Sequence, residues 1–162
     1  MVSLTVTYEY CHCREENPLH EGIATALRQK AAKIRALRDE RYARSQDVER
    51  ELHPEFLVLG FTRSATAQTV AGLFSPDCDF EIDFFSQRHG VGVEIEKGKH
   101  FSVWRNLVKF CESPLVQHGV LILPYEKHGS QGADRVFDNT VASLKNVRNL
   151  YEHLDSLLCF GY

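Results

Sequence analysis

Apolar and polar positions along the chain alternate between two periods, and the changes of period mark out the elements. Leu4, Val6, Tyr8 and Tyr10 alternate with Thr5, Thr7 and Glu9, which predicts a strand or extended arm over Leu4–Tyr10. Asn17-Pro18 reads as an N-cap with proline at the first helical position. Behind it Ile23, Leu27, Ala31, Ile34 and Leu37 fall on one helical stripe. Arg41 to Leu52 is polar and predicts a second helix or a long loop. The nearly all-apolar run Phe56–Phe61 after Pro54 predicts a strand, and Thr62–Ala67 a turn or mobile loop. Thr69–Phe74 predicts a further strand, and Ser75-Pro76-Asp77-Cys78-Asp79 a turn.

The middle of the chain carries the clearest pattern. Ile82-Asp83-Phe84-Phe85 and Val91-Gly92-Val93-Glu94-Ile95-Glu96 flank Ser86–Gly90, whose polar residues and closing glycine suit a hairpin turn. Val91, Val93 and Ile95 then share one sheet face, while Glu94 and Glu96 share the other with Gly92. Phe101–Cys111 predicts a helix with Trp104, Leu107, Val108 and Cys111 on one face, ended at Ser113-Pro114. The continuous aliphatic run Gly119–Leu123 predicts a buried strand, parallel to a neighbour and reached through that helix. Gly129-Ser130-Gln131-Gly132 is a loop. Phe137, Val141, Leu144, Val147, Tyr151, Leu154 and Leu158 trace a long amphipathic helix, for packing on the sheet or as a dimer seam. The chain shows no repeat, low-complexity tract or linker. Strands and helices in this order predict an α/β protein.

Whole-chain properties narrow the class. A length of 162 residues, 43% apolar and 25% charged, is that of an ordinary soluble domain. The net charge of −3 does not itself advertise a nucleic-acid partner. However, seven basic residues (Arg28, Lys30, Lys33, Arg35, Arg38, Arg41 and Arg44) stand against Asp39 and Glu40 in one stretch. This stripe fits either a solvated helix face or a DNA backbone contact. Five cysteines, an odd number, argue for a reducing compartment. The chain start lacks signal-peptide character and no run is long enough to span a bilayer, so a cytoplasmic location is expected.

Across the expected hairpin Asp83 sits beside Glu94 and Glu96. Three carboxylates on one sheet face repel each other unless a cation neutralises them, and Mg²⁺ prefers such an oxygen-rich cluster. A solvated acidic edge is the plain structural alternative. Asp77, although it follows Pro76, lies outside any strand and is set aside in favour of Asp83. Cys11-His12-Cys13 invites a zinc site with Cys78 or His20, but its spacing is too tight for the usual tetrahedral closure.

Asp83, about ten residues, then Glu94-Ile95-Glu96 on a hairpin resembles the core of the PD-(D/E)XK, or restriction-endonuclease-like, nucleases. The Ile-Asp-Phe and Val-Glu-Ile-Glu strand pattern of the BglII/BamHI type looks nearest. The likeness continues through Lys99-His100-Phe101, Trp104-Arg105-Asn106-Leu107 and Gly119–Leu123, covering roughly Phe80 to Pro124. Glu96 stands where the wider superfamily has lysine, a replacement the BglII/BamHI group often makes.

The resemblance implies one domain over residues 1–162 with a mixed central β-sheet flanked by helices. Its parts would be an N-terminal helical region about 17–53, a catalytic core about 56–124 and a C-terminal helix about 133–158. It implies Mg²⁺, with Mn²⁺ as a substitute, held by Asp83, Glu94 and the Ile95 carbonyl. Glu96 would orient or deprotonate the attacking water, or hold a second ion. Double-stranded DNA would be the substrate and a homodimer the working form. Arg28, Arg35, Lys97 and Lys99 are the candidate DNA contacts, although regular strand parity turns Lys97 away from the acids. Glu21 could add a carboxylate from the first helix, though stabilising the helix dipole is its plainer role. A non-catalytic nucleic-acid-binding subunit with the same fold is the competing expectation, and an adaptor without nucleic acid a third.

Overall fold

The computed structural model describes residues 6–97, 100–129 and 132–162. Leu4 and Thr5 of the first expected strand, Gly98, Lys99, Ser130 and Gln131 lie outside them. A six-stranded mixed sheet runs in the order β1(Thr7–Cys13), β8(Ser156–Gly161), β5(His118–Leu123), β4(Val91–Ile95), β3(Ile82–Ser86), β2(Thr62–Ala65). The three central strands β8, β5 and β4 are parallel; β1, β3 and β2 pair antiparallel. The helices are α1(His20–Asp39), α2(Ser45–Val58), α3(His100–Glu112) and α4(Val136–Lys145), and a two-stranded ribbon joins β6(Lys127–Gly129) to β7(Gly132–Asp134).

Strand parity divides the core in two. Val91, Val93 and Ile95, with Val120, Ile122, Leu158 and Phe160, meet Ile23, Leu27 and Ile34 of α1 and Val48, Leu52 and Phe56 of α2. Leu121, Leu123, Leu157 and Cys159 face Val103, Leu107 and Phe110 of α3 and Phe137, Val141 and Leu144 of α4. Gly92 and Gly119 let α3 come close, because a Cβ at either would meet the Phe110 ring at 3.1 and 2.7 Å.

Several expectations are corrected. The first helix begins at His20 rather than at Pro18, since the Asn17 side chain accepts the Leu19 N–H in a turn ahead of it. Phe56–Val58 is not a strand but the last turn of α2, which runs through Pro54. Val48, Leu52 and Phe56 recur every four residues and are buried, while Leu57 and Val58 are 61% and 87% exposed. Gly60, at φ +84°, ends this helix: its N–H bonds the Leu57 carbonyl, the Phe61 N–H bonds the Phe56 carbonyl, and the two phenyl rings stack. The following Thr62–Ala65 is therefore the edge strand β2, not a loop.

Thr69–Phe74 is wound in turns rather than extended, with Val70 and Leu73 N–H groups bonding the Thr66 and Val70 carbonyls, although Val70, Leu73 and Phe74 are buried. The expected C-terminal helix to residue 158 stops at Lys145. The run Leu157-Leu158-Cys159-Phe160 forms β8, whose side chains are buried on both faces as a central parallel strand requires. Tyr151 and Leu154 still reach the core, from the irregular connection, so that stripe is used up internally. On α3 the buried face is Val103, Asn106, Leu107 and Phe110, about one position away from the expected one, and Val108 is exposed.

Candidate active site

The acid pair is made by the end of a hairpin. Gly90 closes the turn at φ +62°, and the β3–β4 ladder runs from Ser86 with Val91 to Phe84 with Val93. Beyond that pair, side chains take over the backbone groups. Asp83 Oδ2 accepts the Ile95 N–H at 2.7 Å, and Glu94 Oε1 accepts the Asp83 N–H at 3.4 Å. Asp83 and Glu94 thus stand side by side, on the sheet face covered by α3, in a cleft of about 1380 Å³.

From α3, Lys109 Nζ reaches both carboxylate oxygens of Glu94 at 2.9 Å, and Asn106 Nδ2 donates to Glu96 Oε1 at 2.5 Å. Glu96 follows the strand, its N–H donating to the Ile122 carbonyl and its own carbonyl accepting from the Tyr162 hydroxyl. From α2, Glu49 is buried beside the pair and accepts from Arg63 at 3.4 Å.

Among the described residues, the carboxylates of Asp83, Glu94 and Glu49 thus face the cations Lys109 and Arg63; Glu49 and Glu94 are buried and Asp83 is partly so. Desolvation, reinforced by the Glu49 charge, pushes Asp83 up to about 7. Burial and the Asp83 charge raise Glu94 well above the usual carboxylate range, against the pull of Lys109. Glu49 is raised by burial in the same way. Among the described residues no three acidic, histidine or cysteine groups stand ready to close on one ion, since Glu94 is turned onto Lys109 and Glu96 onto Asn106.

Of the other predicted residues, Lys97 lines the same cleft but its ammonium is engaged by backbone. Lys97 Nζ donates to the Glu40 and Ala43 carbonyls, fastening the α1–α2 connection to the end of β4. Arg28 is exposed on α1, and neither it nor Arg35 lines the cleft. Glu21 is exposed at the start of α1, away from the cleft. The basic stripe is divided. Lys30 and Lys33 pair with Glu51, and Lys30 also with Glu55, whereas Arg38, Arg41 and Arg44 line the cleft with Arg105. Asp77 sits in the loop before β3, outside the cleft. Cys11 packs against Cys159, His12 bonds the Leu154 carbonyl, His20 bonds Tyr10, and Cys13 is exposed, so these groups face different partners.

Sequence reasoning passes over Glu49 and Lys109. A signal for Lys109 exists, because Ser102, Arg105, Asn106 and Lys109 form a polar stripe at helical spacing, and all four line the cleft. The apolar stripe on the same helix is the stronger pattern and masks it.

A mixed six-stranded sheet flanked by helices, with an acid pair where two strands part, is a restriction-endonuclease-like α/β fold. The chain belongs to the family described as "Putative halobacteria restriction endonuclease", whose model matches residues 3–162. No curated protein is significantly similar to the chain, and no solved structure is either. No helix among the described residues is long and apolar enough to cross a membrane.

Proposed function

We propose that the protein is a Mg²⁺-dependent endonuclease that hydrolyses phosphodiester bonds of double-stranded DNA in a restriction or related defence system, on a PD-(D/E)XK core of the BglII/BamHI kind. The observation that carries this reading is the excess of desolvated carboxylate over cation where Asp83 and Glu94 meet. Ionised together, these groups lack a full complement of positive charge among the described residues. Their hard oxygen donors suit Mg²⁺ or Mn²⁺ better than a thiol- or imidazole-seeking ion.

Asp83, Glu94 and the Ile95 carbonyl would hold the cation. Bound there, a divalent ion polarises a phosphate and lowers the pKa of a water. Glu96, steadied by Asn106, orients that water and takes its proton. Glu49 adds the carboxylate that Glu21 does not, and Lys109 supplies an ammonium from α3 where the strand offers Glu96 in place of lysine. Lys109 must leave at least one Glu94 oxygen for the cation, and once freed it can face the phosphate. Arg38, Arg41, Arg44 and Arg105 line the path of a phosphate backbone, with Arg28 and Arg35 as outlying contacts, and Lys99, outside the described residues, is kept as a candidate contact. A homodimer, acting in the cytoplasm, would cut both strands with two copies of one site.

A second reading, a nucleic-acid-binding subunit that does not cut, draws on the Glu94–Lys109 pair, which satisfies Glu94 without any ion. Plasmid incubated with MgCl₂ separates the two. The protein is expected to nick or linearise it and the Asp83→Ala variant to leave it intact. Equal cutting by both would assign the activity elsewhere, and salt-sensitive, EDTA-insensitive binding without cutting would favour the second reading.

A further inference from the structure

Tyr42 lies in the connection between α1 and α2 and is 81% exposed, although it lines the same cleft as Asp83 and Glu94. The Arg41 guanidinium carbon stands 5.5 Å from the centre of its ring, so one face is covered by a cation while exposure leaves the other open. The connection is short and held at both ends. Lys97, three residues beyond Glu94, donates to the Glu40 and Ala43 carbonyls on either side of Tyr42. Asp47 accepts the Arg44 N–H at 2.7 Å and starts α2 directly afterwards. An exposed phenol ring on a tethered connection gains nothing for the core. Its chemistry is that of a platform for another flat, electron-rich ring attached to an anionic chain.

We propose, resting on the nucleic-acid reading above, that Tyr42 stacks on a base displaced from the helix beside the scissile phosphate. Arg41 backs the ring, and Lys97 acts as the positioning residue that fixes the platform relative to the acid pair. Lys97 then serves recognition through the connection it holds, not by touching DNA itself. Base–aromatic stacking tolerates any base, so the platform selects an unstacked nucleotide rather than a sequence.

The test uses Asp83→Ala protein, so that nothing is cut, and two short duplexes, one fully paired and one carrying a single unpaired adenine. The unpaired-base duplex is expected to bind roughly five- to a hundredfold more tightly. That preference should survive Tyr42→Phe, vanish in Tyr42→Leu and weaken in Lys97→Met. Tyr42→Leu should leave the salt dependence of binding unchanged, because the ring carries no charge. Replacing the adenine by 2-aminopurine should show fluorescence quenched by Tyr42 and restored by Tyr42→Leu.

Retention of the full preference in Tyr42→Leu would overturn the proposal. So would a change of oligomeric state in that variant without any change in DNA binding, which would give the ring to a second copy of the chain. Cutting by the unaltered protein without any unpaired-base preference removes the stacking role and keeps the nuclease. A Tyr42-dependent preference without cutting does the reverse.

Discussion

Replacing Asp83 by asparagine should make the protein more stable in neutral solution while removing its proposed activity. Desolvation and the neighbouring Glu49 charge raise the Asp83 carboxyl from 3.8 to about 7. Between those two values the folded protein keeps a proton that the unfolded chain has released. The contribution of this group to stability is therefore greatest at low pH and is lost as pH rises through the folded pKa. Each pH unit in this window is worth about 1.4 kcal/mol. Moving from about pH 5 to about pH 8 should thus cost the native protein on the order of 3 kcal/mol through this group.

The asparagine side chain of the Asp83→Asn variant keeps an oxygen for the Ile95 N–H and has no such titration. The stability of the variant relative to the native chain should rise by roughly 3 kcal/mol across that interval, and by somewhat more if Glu94 is eased by loss of its neighbour's charge. Urea unfolding at several pH values measures it directly. Added MgCl₂ should narrow the gap at the alkaline end by stabilising only the native chain, by about 2.7 kcal/mol at roughly a hundred times the dissociation constant. A difference between the two proteins that does not change with pH would refute the claim that Asp83 is held in its protonated form by its surroundings.

Two further substitutions probe the same surroundings and the fold. Lys109→Met leaves Glu94 buried without its ammonium and should cost roughly 3–5 kcal/mol in urea unfolding near neutral pH; the double variant with Glu94→Gln should recover much of the loss, and no loss would mean the pair is dispensable. Val58→Lys should change stability by no more than about 0.5 kcal/mol, since Val58 points into solvent from α2; a loss of several kcal/mol would place it inside the sheet instead.

The parts of the fold that are legible in the sequence are those decided by neighbours. The hairpin of β3 and β4 follows from a glycine that can take positive φ and from two alternating runs, and its register brings Asp83 beside Glu94. Helix α3 follows from apolar spacing, although the face it buries is shifted by about one position, and strand β5 from its continuous aliphatic run. The pattern misleads where an apolar run has two uses. Phe56–Leu59 satisfies a strand template, but only Phe56 of Phe56, Leu57 and Val58 finds a core, and spacing from Val48 and Leu52 decides the matter. Leu157–Phe160 reads as part of a helical stripe because Leu154 and Leu158 happen to stand four apart. Only the gap between β1 and β5 makes it a strand. Glu49 and Lys109 belong to helices whose cleft-facing side is set by packing against the sheet, which short-range patterns do not encode.

The position of β8 between β1 and β5 gives the chain a particular order of assembly. Among the described residues, Thr7–Cys13 has no strand partner other than Ser156–Gly161, at the far end of the fold. The same late strand completes the parallel centre, and Tyr162 just beyond it grips the backbone of Glu96. The pairing of β1, and of β5 on its β8 side, therefore waits until Ser156–Gly161 has been made and is free of the ribosome, and the long loop that must close makes that search slow. A nascent chain short of that strand would carry the Asp83–Glu94 hairpin without the parallel centre of the sheet beside it and without the Tyr162 contact to Glu96.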